Sequence, residues 1–217
     1  MHPSPTLSQH AMRHLPKPRL NRQDRRHTRE LSMKFCSQCG HSVSQHIPQG
    51  DSRLRYVCDH CQTIHYQNPN IVAGCVPTWG TQVLLCRRAI EPRKGFWTLP
   101  AGFMENGETV EQAAQRETRE EACAEVANLS IYTLIDVPHI NQVHIFYRAE
   151  LLNRDFAAGE ESLEVRLFDE ADIPWSELAF RTVSRTLECF FADRPGQVYP
   201  VRSEAVPPLA GLIKPQQ

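Results

Sequence analysis

The stretch from Leu99 to Ala124, LPAGFMENGETVEQAAQRETREEACA, concentrates carboxylates at a spacing that chemistry can use. Glu108 stands just ahead of a helical pattern that carries Glu111, Glu117, Glu120 and Glu121. Each helical residue advances about 100°, so with Val110 at zero, Ala113 and Ala114 fall within about 60° on either side. These small residues mark the stripe that packs inward. Glu117 and Glu121 lie within about 20° of the centre of that stripe, and Glu120 sits at its edge beside Arg116. A solvated acidic face would point the other way. Carboxylates held one turn apart on a packing face repel unless a cation lies between them. The spacing reads as an oxygen cage for a hard divalent cation, most naturally Mg2+, with Mn2+ as its substitute. The competing reading is an amphipathic surface helix with irregular patterning.

A second set of ligands lies earlier in the chain. Cys36-Ser-Gln-Cys39 and Cys58-Asp-His-Cys61 are two CxxC pairs separated by eighteen residues. This is the spacing of a four-cysteine ribbon around one structural Zn2+, each pair forming a knuckle. A redox pair would come singly near a βαβ unit, and disulfides would call for a secretory leader, whose apolar segment the N-terminus lacks. His41, His60 and His65 are near enough in sequence to substitute as ligands. Cys75, Cys86, Cys123 and Cys189 are scattered among apolar residues and read as buried thiols. Between the pairs the only cations are Arg53 and Arg55, so the ribbon reads as a small cap held by metal and not as a nucleic-acid surface.

Elements must hold these groups in place. LPAGFMENGE is a turn-forming lead in which Gly102 and Gly107 relax the backbone. Thr109 with Gln112 three residues on has capping-box spacing, so a helix starts there. Upstream, Ile71–Pro77 and Gln82–Arg87 read as a hairpin turning at Trp79-Gly80. Downstream, Val126–Val137, Gln142–Leu152 and Ser162–Phe168 read as strands, and Thr182–Ala192 as a final helix. Apolar residues make up 41% and charged residues 23%, enough for a core of ordinary size. Residues 1–32 carry seven Lys/Arg against two acids and no Phe, Trp or Tyr, a disordered basic leader in preference to a polyanion-binding arm. The expected organisation is that leader, a ribbon over residues 33–66, a main domain over 68–193 and an irregular Pro-rich tail over 194–217. No apolar run is long enough to span a membrane, and a cytoplasmic location is expected.

The Leu99–Ala124 stretch resembles the signature of the Nudix hydrolases: Gly, five residues, Glu, seven residues, Arg-Glu, an aliphatic, any residue, Glu-Glu, any residue, Gly, an aliphatic. Gly102, Glu108, Arg116-Glu117 and Glu120-Glu121 match it at every charged position. Thr118 and Cys123 depart from it, standing where an aliphatic residue and a glycine are usual, Ala124 is a small final aliphatic, and Ala101 replaces a glycine often seen there. The resemblance implies an α/β/α sandwich with a mixed sheet, here preceded by the zinc ribbon. It further implies that Glu117 and Glu121 bind catalytic Mg2+ or Mn2+, with Glu120 as a third ligand or as the base for the attacking water. Arg116 would hold Glu117, Glu108 would support the loop or reach a metal through water, and the carbonyl of Ala101 or Gly102 would complete a coordination shell. An acid from outside the motif often joins such a site; Glu160, Glu161 and Glu164 are the candidates, Glu161 and Glu164 flanking the start of a strand.

The resemblance also bounds the substrate. A zinc ribbon ahead of this domain is the layout of NADH pyrophosphatases, which add an SQPWPFP-like array after the motif. This chain has NLSIYTLIDVPHINQVHIF instead. That absence argues against NADH and NAD caps of RNA. The layout from Met33 to about Ala192 is similar to zinc-ribbon members of the family that include FAD and ADP-sugar pyrophosphatases, which implies FAD or an ADP-linked compound, cleaved at its diphosphate to two monophosphates. An NADH or NAD-cap pyrophosphatase and a nucleoside-triphosphate pyrophosphatase are the alternatives. Tyr132, Phe146 and Tyr147 are candidates to stack on a substrate ring, and Trp97 and Phe96 to shape a nucleotide pocket, with the core as the competing place for each. The expected partners are a small nucleotide and a second copy of the chain, not nucleic acid or membrane. A non-catalytic nucleotide-binding regulator is the alternative from a different class.

Overall fold

The computed structural model describes residues 33–208, and contacts divide the chain into two compact units between Gln67 and Asn68. The expectations for residues 1–32, and for 209–217 of the tail, lie outside the described residues.

The first unit is a three-stranded antiparallel sheet of β1 (Val43–His46), β2 (Arg55–Cys58) and β3 (Ile64–His65). Cys36 and Cys39 precede β1, and Cys58 ends β2 with Cys61 in the turn that follows. Its buried residues are Cys36, Pro48, Val57 and Cys58. So small an apolar centre cannot offset the entropy of ordering the segment, which is why such units are tied by metal.

The second unit is built on one mixed sheet. Its long path runs through β10 (Ser162–Phe168), β5 (Gln82–Arg88), β4 (Asn70–Trp79), β9 (Gln142–Leu151), β8 (Val126–Val137) and β11 (Arg202–Ala205). The short β6 (Trp97–Thr98) pairs with β5, and β7 (Ala101–Phe103) with β4. β4–β9 and β8–β11 are parallel, and the other pairs are antiparallel. The centre of β4 is buried without alternation because both faces are covered. On one face Ala73 and Cys75 meet Ala113 and Ala114 of α1 (Val110–Ala122), small residues that let the helix approach closely. On the other, Val76, Leu85 and Phe146 meet Val183, Leu187 and Phe190 of α2 (Arg181–Asp193). This is the α/β/α sandwich. Gly74 makes room for β7: a Cβ there would lie 2.4 Å from the Ala101 Cβ and 2.5 Å from the Pro100 carbonyl oxygen.

Two expectations are corrected. The tail is not irregular throughout, since β11 extends the sheet by pairing with β8 at Thr133–Asp136. Neighbours supply its stability: Arg185 Nε donates to Glu204 at 2.7 Å, and Arg202 ion-pairs with Asp193. Cys123 is not a buried thiol but an exposed residue in the left-handed region, φ 48°, ending α1 with its N–H bonded to the Arg119 carbonyl. It stands where the motif resembled above has glycine, and a Cβ is strained in that conformation. Cys123→Gly should therefore stabilise this unit by about 1 kcal/mol, raising its melting temperature by about 2–4 °C in a thermal scan.

Candidate active site

α1 begins where its cap dictates. The Thr109 hydroxyl accepts the Gln112 N–H at 3.2 Å, and the Gln112 side-chain oxygen accepts the Thr109 N–H at 2.8 Å. About two turns later Arg116 reaches back along the helix and uses all five of its N–H groups. Nε and Nη2 donate to the two Glu108 oxygens at 3.1 and 2.8 Å. Nη1 donates to Glu117 at 2.8 Å and Glu120 at 2.9 Å, and Nη2 also to the Phe103 carbonyl at 3.1 Å. Glu108 is held a second time by the Glu105 N–H at 2.7 Å. Arg116 thus ties together three acids and the loop before the helix, where the resemblance implied only its grip on Glu117.

Glu117 and Glu121 are buried, as their place on the inward stripe required. Glu121 Oε2 accepts the Ala101 N–H at 3.1 Å. Burial is the largest cause that pushes its pKa up, to about 8, with the Glu117 and Glu161 charges adding to it. Burial also raises Glu117, against the opposing hydrogen bond from Arg116. Gly102 is a packing necessity: a Cβ there would lie 2.4 Å from the Glu117 carboxyl carbon.

These groups line one end of a cleft of about 1000 Å3 that also takes in Glu160, Glu161 and Arg88. Glu164 is not brought to it. On β10 it lies opposite Arg87 and ion-pairs with that residue at 3.8 Å. Of the stacking candidates, Trp97, Tyr132 and Phe146 are core residues, and neither Phe96 nor Tyr147 lines the cleft. The residues that do line its far side are Val137, Gln142, His144, Phe180, Thr182 and Val206. No motif marked these, because they come from β8, β9, the start of α2 and the segment after β11.

Hard oxygen donors, two of them buried with raised pKa, suit a divalent cation that would stabilise their charged forms. Their oxygens do not all lie within 4.8 Å of one another, so binding would draw in Glu120, whose side chain is 60% exposed. In the ribbon the four sulfurs do converge: Cys36–Cys61 is 3.7 Å, and Cys39 lies 3.4 Å from both Cys58 and Cys61. Tetrahedral thiolates around zinc would be about 3.8 Å apart. Backbone N–H groups of Gln38, His60 and Cys61 donate to these sulfurs, and His65 Nε2 lies 3.3 Å from Cys36 Sγ. Hydrogen bonds from Thr63 bring the Cys61 thiol down to about 6.

Two family models match the chain, Nudix N-terminal over residues 34–67 and NUDIX domain over residues 68–187. The chain belongs to the Nudix family. A Nudix hydrolase from Nitrosomonas europaea is 51% identical with a TM-score of 0.78, the match covering 80% of this chain and 99% of that one. The NAD-capped RNA hydrolase NudC of Edwardsiella ictaluri is 34% identical over 143 residues, 65% of this chain and 51% of that protein. The protein of the same name from Pseudomonas aeruginosa is 30% identical over 171 residues, 77% of this chain and 59% of that protein. The chain thus spans between half and three-fifths of the length of these curated relatives.

Two outcomes follow from this geometry. Without metal, folded Glu121 keeps its proton up to about pH 8. The unfolded chain releases that proton near the ordinary carboxylate value, so metal-free stability falls as pH rises from about 4.3 towards the folded value. Adding Mg2+ or Mn2+ should raise the melting temperature more at about pH 8.5 than at about pH 6, and calorimetry near neutrality should show proton release on binding. For the ribbon, elemental analysis should find about one zinc per chain, falling to near zero in Cys58→Ser.

Proposed function

We propose that this chain is a divalent-metal-dependent pyrophosphatase acting on a nicotinamide–adenine dinucleotide linkage, either in the small molecule or at the 5′ end of an RNA. The names of the relatives carry this reading, since NAD-capped RNA hydrolases align with 65% of the chain in one case and 77% in another. They outweigh the missing SQPWPFP-like array, which had favoured FAD or an ADP-linked compound, and they also remove the reason to set nucleic acid aside. The cleft agrees in kind, combining the acids with apolar wall from Val137, Phe180 and Val206 and a few polar groups.

The chemistry follows from charge. A diphosphate repels an anionic nucleophile, and bound Mg2+ or Mn2+ would neutralise that charge and lower the pKa of the attacking water. Glu117 and Glu121 are the ligands that burial makes most dependent on a cation. Glu120 and Glu161 are the acids placed to complete the shell or accept the proton of the water. The carbonyl of Ala101 or Gly102 serves the same shell from β7. Arg116 leaves the reacting atoms alone and holds Glu108, Glu117 and Glu120 in place. In the ribbon, Cys36, Cys39, Cys58 and Cys61 hold the structural zinc.

The test is hydrolysis of NADH, an NAD-capped RNA, FAD and ADP-ribose with Mg2+ or Mn2+, products read by mass. NADH or the capped RNA should give the pair of monophosphate ends fastest; a clear preference for FAD would restore the other reading. Glu121→Gln can still accept the Ala101 N–H, so it should fold while losing at least about a hundredfold in kcat. Retained turnover in that variant would sink the metal assignment.

A further inference from the structure

We propose that Gln142 reads a ring of the bound dinucleotide from the far side of the cleft, its amide N–H groups aimed there by a buried relay through His144 and Thr182. The proposal rests on the dinucleotide reading above and adds to it the group that recognises the ring.

Strand register gives the scale. Glu121 bonds the Ala101 N–H on β7, and along β7 Phe103 lies beside Val72 of β4, which in turn lies beside His144 of β9. Neighbouring strands are about 4.8 Å apart, so His144 stands about 10 Å from the strand at the acidic end. Gln142, two residues before it on β9, shares its face. Thr182, in the first turn of α2, lies against His144, and all three line the cleft. Around them Val137, Phe180 and Val206 supply apolar wall, interrupted by His139 and by Arg181, whose guanidinium donates to the Pro207 carbonyl. Few polar groups set in apolar walls is the pattern by which a pocket orients a flat ligand.

The relay has one direction. His144 is 9% exposed and Thr182 4%. Burial brings the His144 pKa down to about 4, so the ring is neutral and has one donor and one acceptor. Nε2 lies 2.9 Å from Gln142 Oε1, an oxygen that only accepts, so Nε2 carries the hydrogen. Nδ1 must then accept, and its partner at 3.1 Å is the Thr182 hydroxyl, which donates. The Gln142 oxygen is thereby committed to the wall. Its NH2 group is left with no protein partner among the described residues, on a side chain that lines the cleft. A donor pair in an apolar slot selects a ring edge that offers an acceptor, since an edge without one leaves it desolvated and unpaired. In a nicotinamide–adenine dinucleotide that acceptor is the nicotinamide carboxamide oxygen or an adenine ring nitrogen. Gln142 is the specificity residue; His144 and Thr182 are positioning residues that act through it.

Removing the hydroxyl should release the relay from its one direction. In Thr182→Val nothing donates to Nδ1, so neither tautomer is enforced, and Gln142 is free to present either its oxygen or its NH2 group to the cleft. Thr182→Ser keeps the donor. The experiment is steady-state kinetics of the full chain with Mn2+ on NADH and ADP-ribose, with thermal melts to show that each variant folds. Nitrogen-15 shifts of His144, assigned by comparison with His144→Asn, report the tautomer. Gln142→Leu should raise KM about tenfold with kcat changed by less than about twofold. Thr182→Val should raise KM for the same substrate and move the His144 shifts, and Thr182→Ser should restore both. A KM penalty on NADH alone identifies the carboxamide as the acceptor, and a penalty on both substrates identifies adenine. Unchanged KM for both in folded Gln142→Leu overturns the proposal, as does an Nδ1–H tautomer in the wild-type protein. Wild-type protein that cleaves neither substrate would instead overturn the dinucleotide reading, with the tautomer still deciding the relay.

Discussion

The acidic end of the cleft depends on the guanidinium of Arg116. Its five donors face Glu108, Glu117, Glu120 and the Phe103 carbonyl, so one planar cation holds the helix and the loop ahead of it in fixed relation. A lysine has neither the number of donors nor the fork to do this. Glu121 lies outside that network and is held by the Ala101 N–H alone. Burial drives both acids towards their neutral forms, but Glu117 has a permanent cation bonded to it that opposes the shift, whereas Glu121 has the Ala101 N–H and only the more remote charge of Arg88, and is pushed up to about 8. That difference stores an affinity for an added cation, because whatever stabilises the charged form of Glu121 regains the solvation it lost on folding.

Bringing β7 close enough to meet α1 requires space. Gly74 supplies it on β4, and Gly102 supplies it under the Glu117 carboxylate. Ala73, Cys75, Ala113 and Ala114 do the same between the sheet and α1. The other face is packed with large residues, Phe146, Phe168, Leu187 and Phe190 among them. Small residues thus lie where backbone must approach backbone and carry chemistry, and large ones where the sandwich needs apolar burial.

The ribbon solves a different problem. With four buried residues it has little apolar core, and its four sulfurs converge where one metal ion could tie the knuckles together. Three backbone N–H groups already point at those sulfurs, so the knuckles are shaped to stabilise thiolates.

Much of this was legible in the residues alone. Helical period placed Glu117 and Glu121 on the packing side of α1, the capping box placed its start, and the cysteine spacing placed the ribbon, because each rests on relations within a few turns of chain. The main strands and α2 followed from apolar periodicity for the same reason. Glu161 and Glu164 could not be told apart, since only the fold places Glu161 in the cleft, just ahead of β10, and only the register of β10 against β5 pairs Glu164 with Arg87. Cys123 read as a buried thiol because burial was inferred from its neighbours, whereas its backbone had to end a helix. The tail strand and the Gln142–His144–Thr182 relay left no local trace. β11 is a strand only because β8 offers it an edge, and the relay exists only because α2 lays a hydroxyl over β9. Local chemistry is written in sequence neighbours; the far side of the cleft is made by residues that only the folded sheet and its covering helix bring together.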